Sequence, residues 1–501
     1  MTARDKLNRR QFLTSTAAVT AFSIVPRHVL GGANHVAPSE RINVGYIGTG
    51  SQGIRVMLAL LKYPEIRVTS VCDVNKESGD YLEWGVNELN NKARDLIGAG
   101  HSDLPGCVCG REPARRIVDG YYAKQKDARG YRDCSAYNDF RELLDKERDI
   151  DAVAVATPDH THAVISIAAM KKGKHVYCQK PMTHSIHEAR RIAQVAQDTG
   201  AATQVALGVS ASESTRQLCE WIWAGAIGPV REVHNWSNRP IWPQGQPHPK
   251  IADPIPAGLD WDKWLGPTQN RPFNHAYLPF VWRGWCDFGT GALGDMGCYS
   301  FDTIARVLKL VAPTSVEACT SREYAATRGG SQRIAHDDSY PRSAVVRFHI
   351  PARHDMPELS LNWYDGGILP ARPSELEPGQ QLSQEGLLFV GDKGKILCDF
   401  TGGNPRLLPE SKMQAFEAPP KTLPRSVGHY EEWIAACKGG PAAAANFQFV
   451  GRVTETLLLG NVPIRAGKTF LQWDGANLTS PDADDIDRYV NPPARPGWEV
   501  G

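Results

Sequence analysis

The chain lacks the features that would point to a membrane, a nucleic acid or a disulfide scaffold. Past the first 40 residues no apolar run reaches the ~18 residues that a spanning helix needs. Charge of one sign is missing too. The 56 Lys and Arg nearly cancel the 55 Asp and Glu, a formal net charge of +1, so no basic excess is available to hold a nucleic acid or an anionic bilayer. The 11 cysteines are odd in number and scattered, with no zinc-type CxxC pair, which leaves no metal site to expect. A chain of 501 residues buries enough core to fold without a disulfide framework. Cys107 and Cys109, the one close pair, sit among Gly and Pro, which predicts solvent-facing loop cysteines. Internal repeats are absent as well.

The first 40 residues read as an address. Arg4, Lys6, Arg9 and Arg10 precede Gln11-Phe12-Leu13 and a mildly apolar stretch from Thr14 to Val25. This Arg-Arg-x-Phe-Leu pattern resembles the twin-arginine export signal of bacteria, which implies a periplasmic or otherwise exported location. That route carries folded proteins, so a protein that acquires a dinucleotide in the cytosol has a reason to use it. No membrane insertion is expected once the signal is removed.

From Arg41 apolar strands alternate with helices: Ile42–Ile47, Ile66–Cys72, Asp151–Ala156, Lys174–Cys178 and Ala202–Leu207 as strands, with helices of 10 to 15 residues between them. That rhythm predicts an α/β domain over residues 41–206, its parallel sheet covered on both faces. Residues 76–137 are too many for one helix and strand. They read as an insertion with helices over Tyr81–Leu96 and Pro113–Lys126. Later runs such as Ser343–Ile350, Glu358–Trp363, Gly386–Val390 and Lys395–Phe400 predict an α+β second domain over residues 207–460, with a large, open, mostly antiparallel sheet. Residues 461–501 read as a polar tail.

Gly48-Thr49-Gly50-Ser51-Gln52-Gly53 follows the first strand and opens a helix, and Asp73 stands 20 residues on, at the tip of the second strand. Glycine permits the tight turn and the close approach of backbone to a pyrophosphate, and the helix N-terminus offers free N–H groups to it. Asp73 would accept from ribose hydroxyls and repel a 2′-phosphate, which favours NAD(H) while leaving NADP(H) open. Thr157, Pro158, His160 and His162 lie where the third strand meets its helix, on the carboxyl edge where ligands of such sheets bind. Lys180 precedes Pro181 and is thereby held extended toward the cleft. A glycine-rich entry, Asp287 to Gly294, precedes a helix on which Asp295, Tyr299 and Asp302 share one face.

These four motifs, in this order over about residues 41–460, resemble the Gfo/Idh/MocA family of glucose-fructose oxidoreductases, inositol dehydrogenases and relatives. The resemblance implies a Rossmann domain, a second domain that packs in dimers or tetramers, and hydride transfer between NAD(P) and a sugar or polyol carbon. Lys180 matches the family's lysine of Glu-Lys-Pro, which contacts the reacting hydroxyl and the nicotinamide ribose, but Gln179 replaces the Glu. Asp295 matches the aspartate of the Asp-x-Gly-x-His helix, and Tyr299 replaces the His that serves as general base. A base and a cationic stabiliser are needed near one oxygen. Tyr299 is therefore expected as acid/base with its pKa lowered by the Lys180 ammonium, and Asp295 as its orienter. Arg283 and Trp282 are candidate substrate contacts, and Trp236, Trp242 and Trp285 either stack on a sugar or fill the core. Two rival functions use the same residues: a glycosidase or lyase that oxidises a sugar hydroxyl transiently, and a non-catalytic sugar-binding protein.

Overall fold

The computed structural model describes residues 36–37, 40–125, 133–334 and 336–501. The signal-like segment lies almost wholly outside them. From Ile42 to Gly501 the chain is one body. Its first half runs β1 (Ile42–Ile47), α1 (Ser51–Leu60), β2 (Ile66–Cys72), β3 (Ser78–Tyr81), α2 (Glu88–Ile97), β4 (Cys107–Cys109), α3 (Arg111–Lys124), β5 (Ser135–Tyr137), α4 (Phe140–Lys146), β6 (Ala152–Val155), α5 (Asp159–Lys171), β7 (His175–Cys178), α6 (Ile186–Thr199) and β8 (Thr203–Val205). Six of these strands form a parallel sheet in the order β5-β2-β1-β6-β7-β8. Near-continuous apolar strands are what a sheet covered on both faces requires. Helix α6 starts on a capping box in which Ser185 and Glu188 satisfy each other's backbone N–H. Helix α5 is buried on almost every side, because the sheet covers one flank and an aromatic cluster of Trp264 and Phe288 covers the other.

The second half adds α7 (Glu213–Trp223), β9 (Val230–Trp236), α8 (Trp261–Leu265), α9 (Gly291–Leu308), β10 (Ser315–Thr320), a hairpin of β11 (Glu323–Thr327) and β12 (Gly330–Ile334), β13 (Ala344–Ile350), β14 (Leu359–Tyr364), β15 (Gly386–Gly391), β16 (Gly394–Cys398), β17 (Arg406–Leu408), α10 (Glu410–Gln414), α11 (His429–Cys437), α12 (Phe447–Leu459), α13 (Asn461–Ala466), β18 (Phe470–Gln472) and α14 (Asp487–Val490). Eight strands make one mixed sheet in the order β17-β16-β15-β9-β14-β13-β10-β18. Every pair is antiparallel except β9 with β14. Along β13 the residues Ala344, Val346, Phe348 and Ile350 turn inward, while Arg347 faces out, the period of a sheet with one open face.

Four expectations need correction. The insertion's first helix begins at Glu88 rather than Tyr81, because Tyr81 still pairs with Cys107 in a two-stranded antiparallel sheet. Cys107 and Cys109 are consequently buried strand residues, their sulfurs 3.9 Å apart, not solvent-facing loop cysteines. Gly291 and Gly294 lie inside α9 instead of before it, with Gly297 one turn farther along. A Cβ on Gly297 would sit 2.7 Å from Leu457, so close packing on α12 demands the small residue. Residues 461–501 are no polar tail, for β18 pairs with β10 at the sheet edge, and Leu471, Trp473, Ile486, Tyr489 and Val490 join the main core.

Candidate active site

A cleft of about 840 Å³ runs along the carboxyl edge of the parallel sheet, between it and the second half. Its centre is the glycine turn after β1. Gly48 has φ +89°, and a Cβ there would lie 2.5 Å from the carbonyl carbon of Ala156, so only glycine fits. Helix α1 starts at Ser51 with no side-chain cap, leaving its first N–H groups without intrahelical acceptors. Gly48, Gly50, Ser51, Gln52 and Gly53 all border the cleft. Thr49 does not. It turns back, and its backbone N and Oγ1 donate to Asp73 Oδ2 at 2.6 and 3.1 Å. Asp73 Oδ1 accepts from Asn75 N at 2.8 Å. Burial pushes the Asp73 carboxyl up, against these hydrogen bonds.

At the β7 end Lys180 Nζ donates to Asp295 O at 2.8 Å and to Asp295 Oδ1 at 3.1 Å, and it lies 4.7 Å from the centre of the Tyr299 ring. Arg283 Nε donates to the same Oδ1 at 3.1 Å. Its guanidinium rests on Trp282 and Phe280. Two cations thus share one carboxylate. Burial works against Asp295 and Lys180 alike, yet each holds the other ionised: Asp295 falls below its ordinary value and Lys180 rises above its own. Tyr299 departs from expectation. Burial raises its pKa by more than Lys180 lowers it, so the net shift is upward and the phenol stays neutral.

Other expected contacts also move. His160 is buried, its ring nitrogens against Phe288 O and Trp264 O. His162 bridges Pro181 O and Thr157 O, both at 2.8 Å. Burial pushes the two imidazoles down, to about 3 and about 4. Neither histidine faces the cleft, and Pro181 backs it without lining it. They staple the loops that present Thr157, Pro158 and Lys180. Trp236 and Trp285 are core residues, with their indole nitrogens spent on Ser383 O and Ala276 O, whereas Trp242 and Trp282 line the cleft.

Two models of known families match the sequence. One, of an oxidoreductase family with an NAD-binding Rossmann fold, covers residues 107–207. The other, the same family's C-terminal α/β domain, covers residues 230–339. The chain has the fold of the Gfo/Idh/MocA oxidoreductases. A glycosyl hydrolase family 109 protein of Saccharopolyspora erythraea is 26% identical over 191 residues, 38% of this chain and 34% of its own length. Levoglucosan dehydrogenase of Pseudarthrobacter phenanthrenivorans is 32% identical over 111 residues, 21% of this chain and 28% of its own. The chain thus spans about a third or less of these curated relatives. Among solved structures, the WlbA dehydrogenase from Bordetella pertussis, in complex with NADH and UDP-GlcNAcA, superposes with a TM-score of 0.52 at 14% identity, covering 87% of this chain and 99% of that one.

On this Gfo/Idh/MocA fold Gln179 is buried on the cleft wall, and its amide nitrogen has no hydrogen-bond partner. Sequence reasoning passed over Asp159, which begins α5 directly after Pro158. Its carboxyl borders the cleft, and Oδ2 accepts from Thr290 Oγ1 at 2.9 Å. Burial, and then the nearby Asp295 carboxylate, push it up to about 8. Only its burial reveals its chemistry. The insertion was equally silent in the sequence: Tyr81, Leu82, Glu83 and Trp84 form the cleft mouth, where Trp84 meets Phe280 edge-on at 5.9 Å.

Proposed function

We propose that this chain is an NAD-dependent oxidoreductase acting on a CH–OH group of a sugar, sugar derivative or polyol. One observation carries the proposal: the glycine turn and the Lys180–Asp295–Tyr299 group open into a single cleft. The residues fit a dinucleotide. An uncapped helix start faces the place for a pyrophosphate. Asp73, with three of its roughly four acceptor sites taken, keeps one for a ribose hydroxyl. Its charge favours NAD(H) over NADP(H).

When bound, the nicotinamide accepts or returns a hydride at the substrate carbon. The chain handles the proton and the charge. Lys180 and Arg283 offer positive charge to an oxygen that becomes alkoxide-like, and charge placed in advance in a water-poor cleft is the strongest form of such help. Tyr299, neutral, hydrogen-bonds that oxygen. Asp159 takes the hydroxyl proton on the carboxyl oxygen that Thr290 does not hold, because its value near 8 suits proton transfer at working pH. Asp295 keeps Lys180 in place. Export by the twin-arginine route and assembly into a dimer or tetramer belong to the same proposal, supported by the Arg-Arg-x-Phe-Leu opening and the one-sided burial of the eight-stranded sheet.

The family 109 relative favours a second reading, glycoside cleavage through transient oxidation, in which Asp159 would protonate the departing oxygen. One experiment separates the two. The purified chain is screened against sugars and glycosides while reduced nicotinamide absorbance and released aglycone are both followed. Absorbance change with a sugar supports the dehydrogenase, and aglycone release without net absorbance change supports the second reading. A chain that binds no nicotinamide nucleotide overturns both.

A further inference from the structure

We propose that residues 491–501 belong to the dinucleotide site, where Trp498 walls the adenosine end of the cleft. This rests on the cleft being an NAD site. The strand order gives the cleft a direction. Lys180 follows β7, the glycine turn follows β1, Asp73 follows β2, and Phe140 follows β5 at the end farthest from Lys180. A dinucleotide with its pyrophosphate over the glycine turn and its nicotinamide beside Lys180 places its adenosine past Asp73, toward Phe140. Trp498 stands there. Its ring is 5.9 Å from that of Phe140 and lines the same cleft as the glycine turn.

The segment is built into place. Arg495, itself buried, donates through Nε to Gly266 O at 2.8 Å, through Nη2 to Asp262 O at 2.7 Å and through Nη1 to Asp262 Oδ1 at 2.6 Å. From the first half Arg141 donates to Gly497 O at 2.7 Å and lays its guanidinium 4.1 Å from the centre of the Trp498 ring. Phe140 and Arg141 therefore grip the indole from the first turn of α4. An indole fixed in this way excludes water from one side of a purine and slows its release.

The test is binding of NAD+, AMP and nicotinamide mononucleotide to the wild-type chain, Trp498→Ala and Trp498→Phe, read by calorimetry. Trp498→Ala is expected to weaken NAD+ and AMP on the order of tenfold and to leave nicotinamide mononucleotide unchanged, with a fall in the melting temperature of the nucleotide-free protein from the lost packing on Phe140 and Arg141. Trp498→Phe is expected to recover most of the loss. Unchanged NAD+ and AMP affinity in Trp498→Ala overturns the inference and leaves the oxidoreductase reading standing. Equal loss for both half-ligands also overturns it, since the effect is then general. No NAD+ binding by the wild-type chain overturns both.

Discussion

Lys180 makes two hydrogen bonds to a single residue, one to the backbone carbonyl of Asp295 and one to its side chain. An ammonium tied at two points of one helix cannot swing away as substrate enters, so its charge is already in place when the oxygen becomes negative. Lys180→Met is expected to lower kcat/KM by about 10² to 10³ with NAD+ affinity little changed. Asp295→Asn should cost less, roughly 10-fold to 100-fold, because Arg283 and the carbonyl remain. Steady-state kinetics beside NAD+ titrations check both.

The division of labour between Asp159 and Tyr299 is visible in a pH profile. With Asp159 near 8, the oxidation rate should rise with pH through about 8 as its carboxylate forms. Asp159→Asn should flatten that rise. Tyr299→Phe should lower the rate roughly 10-fold to 100-fold and keep the inflection, because the buried phenol is neutral throughout. An inflection lost in Tyr299→Phe and retained in Asp159→Asn would reverse the assignment.

The same carboxyl shapes stability. A folded-state value raised above the unfolded one means that the native state binds more protons between the two values. The stabilisation is complete below the ordinary carboxylate range and is lost as pH rises through about 8. Glu188 and Asp365, each pushed up by burial to about 7, act with the same sign. Asp159→Asn is therefore expected to melt higher than wild type at pH 9 and no higher at pH 4, as calorimetric scans would show.

Two glycines of the first turn should respond differently to alanine. A Cβ on Gly53 would sit 2.2 Å from Gly48 O, whereas one on Gly50 meets only the Tyr81 ring at 3.0 Å. Gly53→Ala is expected to lower the melting temperature of the nucleotide-free protein. Gly50→Ala should fold normally and bind NAD+ at least ~10-fold more weakly, because its Cβ stands where the pyrophosphate approaches. A binding titration and a melt on each variant decide this.

The Rossmann half was legible because its signals are local. Strand, glycine turn and acid stand at fixed spacing. What escaped depended on partners distant in sequence. Cys107 and Cys109 looked like loop residues until Tyr81 was seen to pair with Cys107. The upward shift of Tyr299 needed the burial that the fold supplies, since its neighbour Lys180 taken alone predicts the opposite sign. His160 and His162 stand in a ligand-facing motif, yet carbonyls from Trp264, Phe288, Thr157 and Pro181 claim their rings. Trp498 carried no signal, because nothing in its local sequence indicates a meeting with Phe140.

The segment from β3 to α2 that places Tyr81 and Trp84 at the mouth of the cleft is written in a stretch of chain separate from the residues on its floor. Admission and chemistry are therefore encoded apart. A few changes between β3 and α2 can alter which guest is let in without disturbing the ammonium or the carboxyls that would work on it, so new specificity on this scaffold is most cheaply sought at the door.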